Sequence, residues 1–452
     1  MKTRYINYLL LLTTLILWKC EPNVDEFQPS AGNADFSVFV SIGDSYSAGY
    51  TDGALSAYGQ NYGFTNIIAK QLKTVGAGDF KQPMIPEGMS VGSTGNGSYV
   101  LAKVGDMLMP VPTEGNPELF LPENWINGEG PFNNVAVPGA KSFHLVTPKF
   151  GDPTLGRGNY NPFYTRFASA PGQSTVLGDA MLNNPKFFSL WIGGNDVLWY
   201  GLSGGTGKIG IGPYDITPNV VFKNSIDYVV STLTSGGAKG VMCNIPGIDA
   251  LPYFSYISYD NLILTEQEAQ MLNFGYKEYN KKAEQLGLPL IEFKEGPNAF
   301  VIADDSNPLG MRQMVEGEKI LLSALSGILG DEHWGSMSPL PDNQSLDLQE
   351  IDILTNATNE FNDILKSTAE ANGLAFVDAN SVMEQLITGI IIDGLPYSTK
   401  FVSGGFFSLD GIHASPRGCA IIANAFIEAI NKKYGSTVPL ATVNRYPGIE
   451  FP

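Results

Sequence analysis

The sequence predicts an α/β fold in which helices cover both faces of a parallel sheet. Three observations point there. Short β-branched and aromatic runs alternate with amphipathic helical stretches, the order that parallel strands require. The runs at 36–42 and 187–192 are apolar enough to be buried on both faces. Both end in small polar residues, Gly43-Asp44-Ser45 and Gly193-Gly194-Asn195-Asp196. That places polar groups at the carboxyl edge of the sheet, where open α/β folds keep their ligands.

The elements follow in order. Lys2 and Arg4 precede an apolar run at 9–18 that is too short to span a bilayer. This reads as a secretory signal. Cys20 comes directly after it, with Leu17 three residues before. The pairing resembles a bacterial lipoprotein signal, in which Cys20 is the lipidated residue and residues 1–20 the signal. Trp18 and Lys19 stand where small residues are usual. The protein is thus expected to be exported and held at the bacterial cell envelope, for example at the outer membrane, through a lipid anchor. Residues 21–35 are polar, with Pro22, Pro29 and Gly32, and read as a tether.

The first strand is expected over 36–42. Residues 62–72 carry Phe64, Ile67, Ile68 and Leu72 at helical spacing. Residues 81–131 are rich in Gly and Pro without a sustained period, so a binding loop or lid is expected. A short strand at 135–137 runs into Pro138-Gly139-Ala140. A helix at 173–182 leads to the strand at 187–192. A helix at 219–235, a strand at 239–245 and an amphipathic helix at 266–286 come next. Residues 295–345 are irregular, with one helix expected at 316–329. A long helix at 348–372 stops at Gly373, a last strand covers 374–378, and a short helix or strand covers 384–392. Ser415 and Pro416 suit the cap and first position of a final helix at 417–433. The reading is one domain over 36–435, with insertions around 81–131 and 249–345 and a tail at 436–452.

Composition narrows the function. A net charge of −18 argues against a nucleic-acid phosphate surface. The cysteines Cys20, Cys243 and Cys419 show no zinc spacing, and buried free thiols explain the last two more simply than a disulfide. Residues 205–210 fit a dinucleotide-loop pattern, but Gly212-Pro213 follows where a helix should open, so a plain loop is expected. No metal or cofactor is expected.

Four short motifs carry the chemistry. Ser45 follows the first strand, Gly139 the second and Asn195 the third, while Asp410-Gly411-Ile412-His413 precedes the last helix. A serine nucleophile needs a base. Of His144, His333 and His413, only His413 has a carboxylate three residues back beside a helix start. The order Ser45, Gly139, Asn195, Asp410, His413, each in its own motif, resembles the SGNH hydrolases, also called the GDSL esterase/lipase family. Tyr46 stands where the family name has leucine, and Ala414 where proline often follows the histidine; neither position is expected to matter to the chemistry.

The resemblance implies a three-layer α/β/α sandwich with a flavodoxin-like, five-stranded parallel core. It implies a serine hydrolase that cleaves carboxylic esters through an acyl-enzyme. Ser45 would be the nucleophile, His413 the base and Asp410 its orienting partner. The N–H groups of Ser45 and Gly139 and the amide of Asn195 would form the oxyanion hole. The partner would be a small-molecule, lipid or glycan ester. The alternatives are a carbohydrate O-acetyl esterase and a non-catalytic lipid- or glycan-binding lipoprotein on the same scaffold. Met107, Leu108, Met109, Phe120, Leu121, Trp125, Tyr253, Phe254 and Trp334, in the two insertions, are candidates to wall an acyl pocket. The run 253–259 could line a groove or form a core strand.

Overall fold

Strand β1, Phe39–Gly43, is buried along its whole length. In the computed structural model, which describes residues 28–105 and 107–452, it pairs in parallel with β2, Phe187–Trp191, from Phe39 opposite Phe187 to Gly43 opposite Trp191. The expected signal and Cys20 lie outside the described residues. β2 pairs in parallel with β3, Lys239–Cys243, and β3 with β4, Ala375–Val377. Val40, Ile42, Phe187, Phe188 and Leu190 are sealed from water, and each such side chain contributes about 1.5–3 kcal/mol.

The other edge of β1 is covered by the extended segment 133–137. Ser41 N–H donates to Asn133 O, Val135 N–H to Ser41 O and Val137 N–H to Gly43 O. Counting this segment, the chain order across the sheet is 2-1-3-4-5, the flavodoxin-like arrangement. The five-stranded core is therefore four strands plus a segment bridged only between Ser41 and Asn134. Regular pairing stops early because Asn133 and Asn134 both turn their N–H groups out to Lys81 O, and because Pro138 brings no N–H.

Helices flank the sheet in pairs. Helix α1, Phe64–Leu72, packs with α5, Pro416–Tyr434, the Phe64 and Phe426 rings lying 5.0 Å apart. Helix α3, Asn219–Thr234, packs with α4, Leu348–Ala371, through Phe222 stacked on Phe361 at 4.0 Å. Helix α2, Gly194–Leu202, rises directly from the end of β2. As expected, Ser415 caps α5 by accepting from Gly418 N–H, and Pro416 occupies its first turn. Among the described residues no helix is long and apolar enough to cross a membrane.

Several local expectations are corrected. The stretch 81–131 contains an antiparallel hairpin, Tyr99–Val104 with Met107–Pro112. Pro110 and Pro112 disguised its second strand, which tolerates them because it lies at an edge. The helix expected over 266–286 is two, Glu266–Gly275 and Lys277–Leu286, parted at Tyr276 where ψ is 3°. The helix expected at 316–329 shrinks to Leu325–Leu329, because Lys319–Ile320 pairs as a strand with Ser345–Leu346. The element at 384–392 is both a helix, Ala379–Thr388, and a strand, Ile390–Ile392. The run 253–259 begins within a short helix, Pro252–Ser255, in place of a strand.

The described part of the tether is docked. Ser30 N–H donates to Thr437 Oγ1 and Asn33 N–H to Tyr434 O, and Ala34 is buried. The tail past 436 also packs down, with Val438 and Val443 buried and Pro439 O bonded to Gln71. The insertion at 249–345 adds small apolar clusters of its own, one around Phe300, Ile320 and Leu340.

Candidate active site

Asp44 caps the short helix Ser45–Ala48 by accepting from Tyr46 N–H at 3.1 Å. Ser45 therefore sits at the first helical position, directly past the end of β1, where its own N–H has no intrahelical acceptor. Its Oγ lies 2.8 Å from His413 Nε2. His413 Nδ1 lies 2.8 Å from Asp410 Oδ2. The three residues form one hydrogen-bonded chain across 368 positions of sequence.

Asp410 is held from several directions. Its Oδ1 accepts from the N–H groups of Ile412 and His413 and from the Ser408 hydroxyl, and its Oδ2 also accepts from Gly53 N–H at 2.9 Å. Burial alone would push its pKa up. The neighbouring His413 and these hydrogen bonds outweigh burial and hold it well below the usual carboxylate range. Asp410 therefore stays ionised opposite the imidazole.

His413 is 9% exposed, and its ring packs against two tyrosines, Tyr46 at 5.2 Å and Tyr50 at 4.8 Å. The Tyr46 hydroxyl donates to Ile412 O, and its ring also packs on Trp191. The departure from leucine at position 46 thus matters to the site: the phenol ties the turn after β1 to the loop that carries His413.

The oxyanion candidates converge on the same cleft, of about 240 Å³, which Ser45, Gly139, Asn195 and His413 all line. Gly139 has φ +78°, a backbone conformation that side-chain-bearing residues avoid. Asn195 lies in the first turn of α2, and its Nδ2 donates to Ala140 O at 3.0 Å. An amide nitrogen carries two protons. One fixes Asn195 to the Gly139-Ala140 turn, which leaves the other for a ligand. Asp196 faces away from the reaction, accepting from Ser142 N–H and Oγ.

The remaining sequence candidates fall elsewhere. His144 accepts from Lys141 N–H and stacks on Phe150 at 4.2 Å, and burial depresses its pKa to about 3. It is a neutral packing residue. Cys243 and Cys419 are free and buried. The loop at 205–217 is pinned by Lys141 Nζ on Gly212 O and Asp215 O and contributes no residue to the cleft.

The apolar wall differs from the one expected. Of the nine candidates only Tyr253 lines the cleft. Phe254 is in the main core, Trp334 packs in the insertion, Phe120 lies against Phe163, and Met107 and Leu108 are exposed at the hairpin end. The wall is instead Leu198, Trp199 and Leu202 of α2. They stand three, four and seven residues after Asn195, so one helix face presents all four. That spacing was readable in the sequence. Tyr50, Ser93, Thr94, Asn96 and Tyr99 also line the cleft. They were missed because their motifs resemble ordinary turns.

The GDSL-like Lipase/Acylhydrolase family model matches residues 39–426. The chain belongs to that family. It is a hydrolase acting on esters. No protein of curated function matches the sequence. Solved structures with some similarity include an α/β hydrolase enzyme from the metagenome of Lake Arreo, Spain, with 10% identity, coverage of 88% of this chain and 96% of that one, and a TM-score of 0.37. A catalytic mutant of an acetylxylan esterase from Geobacillus stearothermophilus has 9% identity, coverage of 89% and 96%, and a TM-score of 0.36. A protein from Parabacteroides merdae, described as a GDSL-like lipase, has 12% identity, coverage of 89% and 99%, and a TM-score of 0.35. Likeness at this level carries no argument about this chain.

Proposed function

We propose that this hydrolase cleaves carboxylic esters through an acyl-enzyme on Ser45. The observation that carries the reading is the unbroken chain from Ser45 Oγ to His413 to the ionised Asp410, opening on one cleft with Gly139 and Asn195. His413 Nε2 takes the Ser45 proton as Oγ bonds to the ester carbon. The carbonyl oxygen becomes an oxyanion, received by Ser45 N–H, Gly139 N–H and the second proton of Asn195 Nδ2. On collapse the carbon–alkoxide bond breaks, and His413 gives its proton to the departing alcohol. Water, deprotonated by His413, then attacks the acyl carbon and returns Ser45. Asp410 keeps Nδ1 protonated and stabilises the imidazolium throughout.

The apolar wall of α2 favours a short-to-medium acyl chain over bare acetyl. The sequence further supports an exported lipoprotein anchored through Cys20 at the cell envelope. The test of the chemistry is direct. A fluorophosphonate probe should label the wild type at Ser45, and Ser45→Ala should abolish both labelling and ester hydrolysis in a folded protein. A folded Ser45→Ala variant that keeps most of its activity rejects the assignment. Absence of labelling in an active wild type rejects it too.

A further inference from the structure

The cleft around Ser45 has two chemically different sides. On the Asn195 side stand Leu198, Trp199 and Leu202. Ser93, Thr94, Asn96 and Tyr99, contributed by the loop and hairpin of the first insertion, also line the cleft and are tied to the His413 side. Ser93 N–H donates to the Tyr50 hydroxyl, whose ring lies 4.8 Å from His413, and Asn96 and the Tyr99 ring meet Gly53, which donates to Asp410. If Ser45 is the nucleophile, as proposed above, these sides are not interchangeable. The imidazole must hand its proton to the leaving oxygen, so the alcohol leaves on the His413 side. The carbonyl oxygen must point at Asn195 and Gly139, which sets the acyl chain along α2.

Past the polar side, the structure continues. Tyr99 lines the cleft and also a second cavity of about 540 Å³, whose other walls include Asp52, Tyr58, Glu87, Ser90 and Ser98. The tyrosine is fixed in place. Its N–H donates to Asp52 O at 2.7 Å, and its ring lies against Gly53, where an added Cβ would come within 2.6 Å of Tyr99 Cδ2. Asp52 offers an acceptor to the cavity: one carboxylate oxygen takes Leu409 N–H, and among the described residues no other hydrogen bond reaches the group. Neither the cleft nor the cavity is lined by a lysine or arginine. An anionic alcohol such as a phosphorylated headgroup would meet carboxylates and no counter-charge. Hydroxyls, carboxylate acceptors and aromatic rings instead suit a neutral alcohol carrying many hydroxyl groups.

The geometry points to Tyr99 as the residue that limits the size of a neutral, hydroxyl-rich alcohol, closing the polar half of the cleft against the larger cavity behind it. The acyl half, on α2, is read independently.

The experiment holds the acyl group constant and grows the alcohol. Initial rates are measured on ethyl acetate, a monoacetylated methyl glycoside and a monoacetylated disaccharide glycoside, with a 4-nitrophenyl acyl series as control. Tyr99→Ala should raise the disaccharide-to-ethyl ratio of kcat/KM by at least about tenfold, the scale on which a shaped pocket discriminates. Tyr99→Phe, which keeps the ring, should retain the wild-type ratio. Ser93→Trp should lower the glycoside-to-ethyl ratios, and it tests the same side should Tyr99→Ala fail to fold. None of the three should move the optimum of the acyl series. Ratios unmoved in Tyr99→Ala and Ser93→Trp overturn the inference, as does a shifted acyl optimum. A wild type that hydrolyses none of these esters and takes no fluorophosphonate overturns the underlying reading as well, which separates the two failures.

Discussion

Gly53 donates its backbone N–H to Asp410 Oδ2 at 2.9 Å, joining the two ends of the chain at the carboxylate behind His413. Gly53 has φ +73°, and the Tyr99 ring occupies the space a side chain would need. Gly53→Ala must therefore strain its backbone, at about 1–3 kcal/mol, or shift the N–H away from Asp410. The expected result is a lower kcat with KM little changed and the same fluorophosphonate site, because the nucleophile remains. A Gly53→Ala enzyme with normal kcat would show that Asp410 does not depend on this donor.

Asn195 donates one amide proton to Ala140 O, and the proposed mechanism gives the other to the oxyanion. Asn195→Ala should lower kcat on the order of a hundredfold to a thousandfold, the effect of losing one oxyanion donor elsewhere. KM should barely move. Steady-state kinetics on a purified, folded variant decide it; a change confined to KM would make Asn195 a substrate-binding group instead.

The triad candidates were legible because each lies in a short local motif. Asp410 and His413 are three residues apart, and Ser45 follows a strand that apolar composition marks plainly. Gly53 and Tyr99 were not legible. Gly53 acts through a contact spanning 357 positions and Tyr99 through one that reaches back to Asp52 and Gly53, and glycine and tyrosine in a Gly-rich loop have ordinary local explanations. The acyl wall failed for a different reason. Aromatic residues in long insertions attracted attention, yet Phe254 and Trp334 are spent on packing those insertions down. The residues that do face Ser45 follow from the helix period of α2 starting at Asn195. The sheet-edge strand was expected at 135–137; the segment 133–137 is bonded like a strand but is too brief to pair regularly.

Buried carboxylates give a pH dependence of stability with a definite sign. Burial raises Asp44 to about 7 and Asp52 and Asp196 each to about 6, from an ordinary 3.8. A raised folded pKa means that the folded state holds its proton more tightly, so the stability it contributes is complete below the unfolded value and is lost as pH rises through the folded value. Asp410 is depressed and acts oppositely, its contribution being lost as pH falls below the unfolded value. Thermal stability should therefore peak in mildly acidic solution and decline between about pH 4 and 7, each group adding a slope of up to about 1.4 kcal/mol per pH unit. Asp44→Asn keeps a capping side chain and should flatten this decline while raising Tm at pH 8. Melting curves from pH 4 to 8 test it; an unchanged slope with a lower Tm at pH 8 would remove Asp44 as a cause.

Cys20 lies outside the described residues. If Cys20 is lipidated, the mature protein should partition into detergent, and Cys20→Ser should be released or left unprocessed. Mass spectrometry of the mature amino terminus reads this directly. A wild type that stays in the aqueous phase, with an unmodified terminus beyond Cys20, would show an ordinary cleaved signal.

The acyl preference follows from the helix face that carries Asn195. Leu198, Trp199 and Leu202 line the cleft from the same helix as Asn195, within reach of an acyl chain whose carbonyl oxygen Asn195 holds in the proposed mechanism. Each methylene buried there contributes about 0.8 kcal/mol, or about fourfold in kcat/KM. A 4-nitrophenyl series should therefore rise from acetyl through the first added carbons and then level off as the cleft fills. Leu202→Ala should make the rise shallower or extend it to longer chains, with little effect on the acetyl ester. A profile that peaks at acetyl and collapses with one added carbon would mean that the wall closes against the acyl group, and would favour a carbohydrate deacetylase over an acyl esterase.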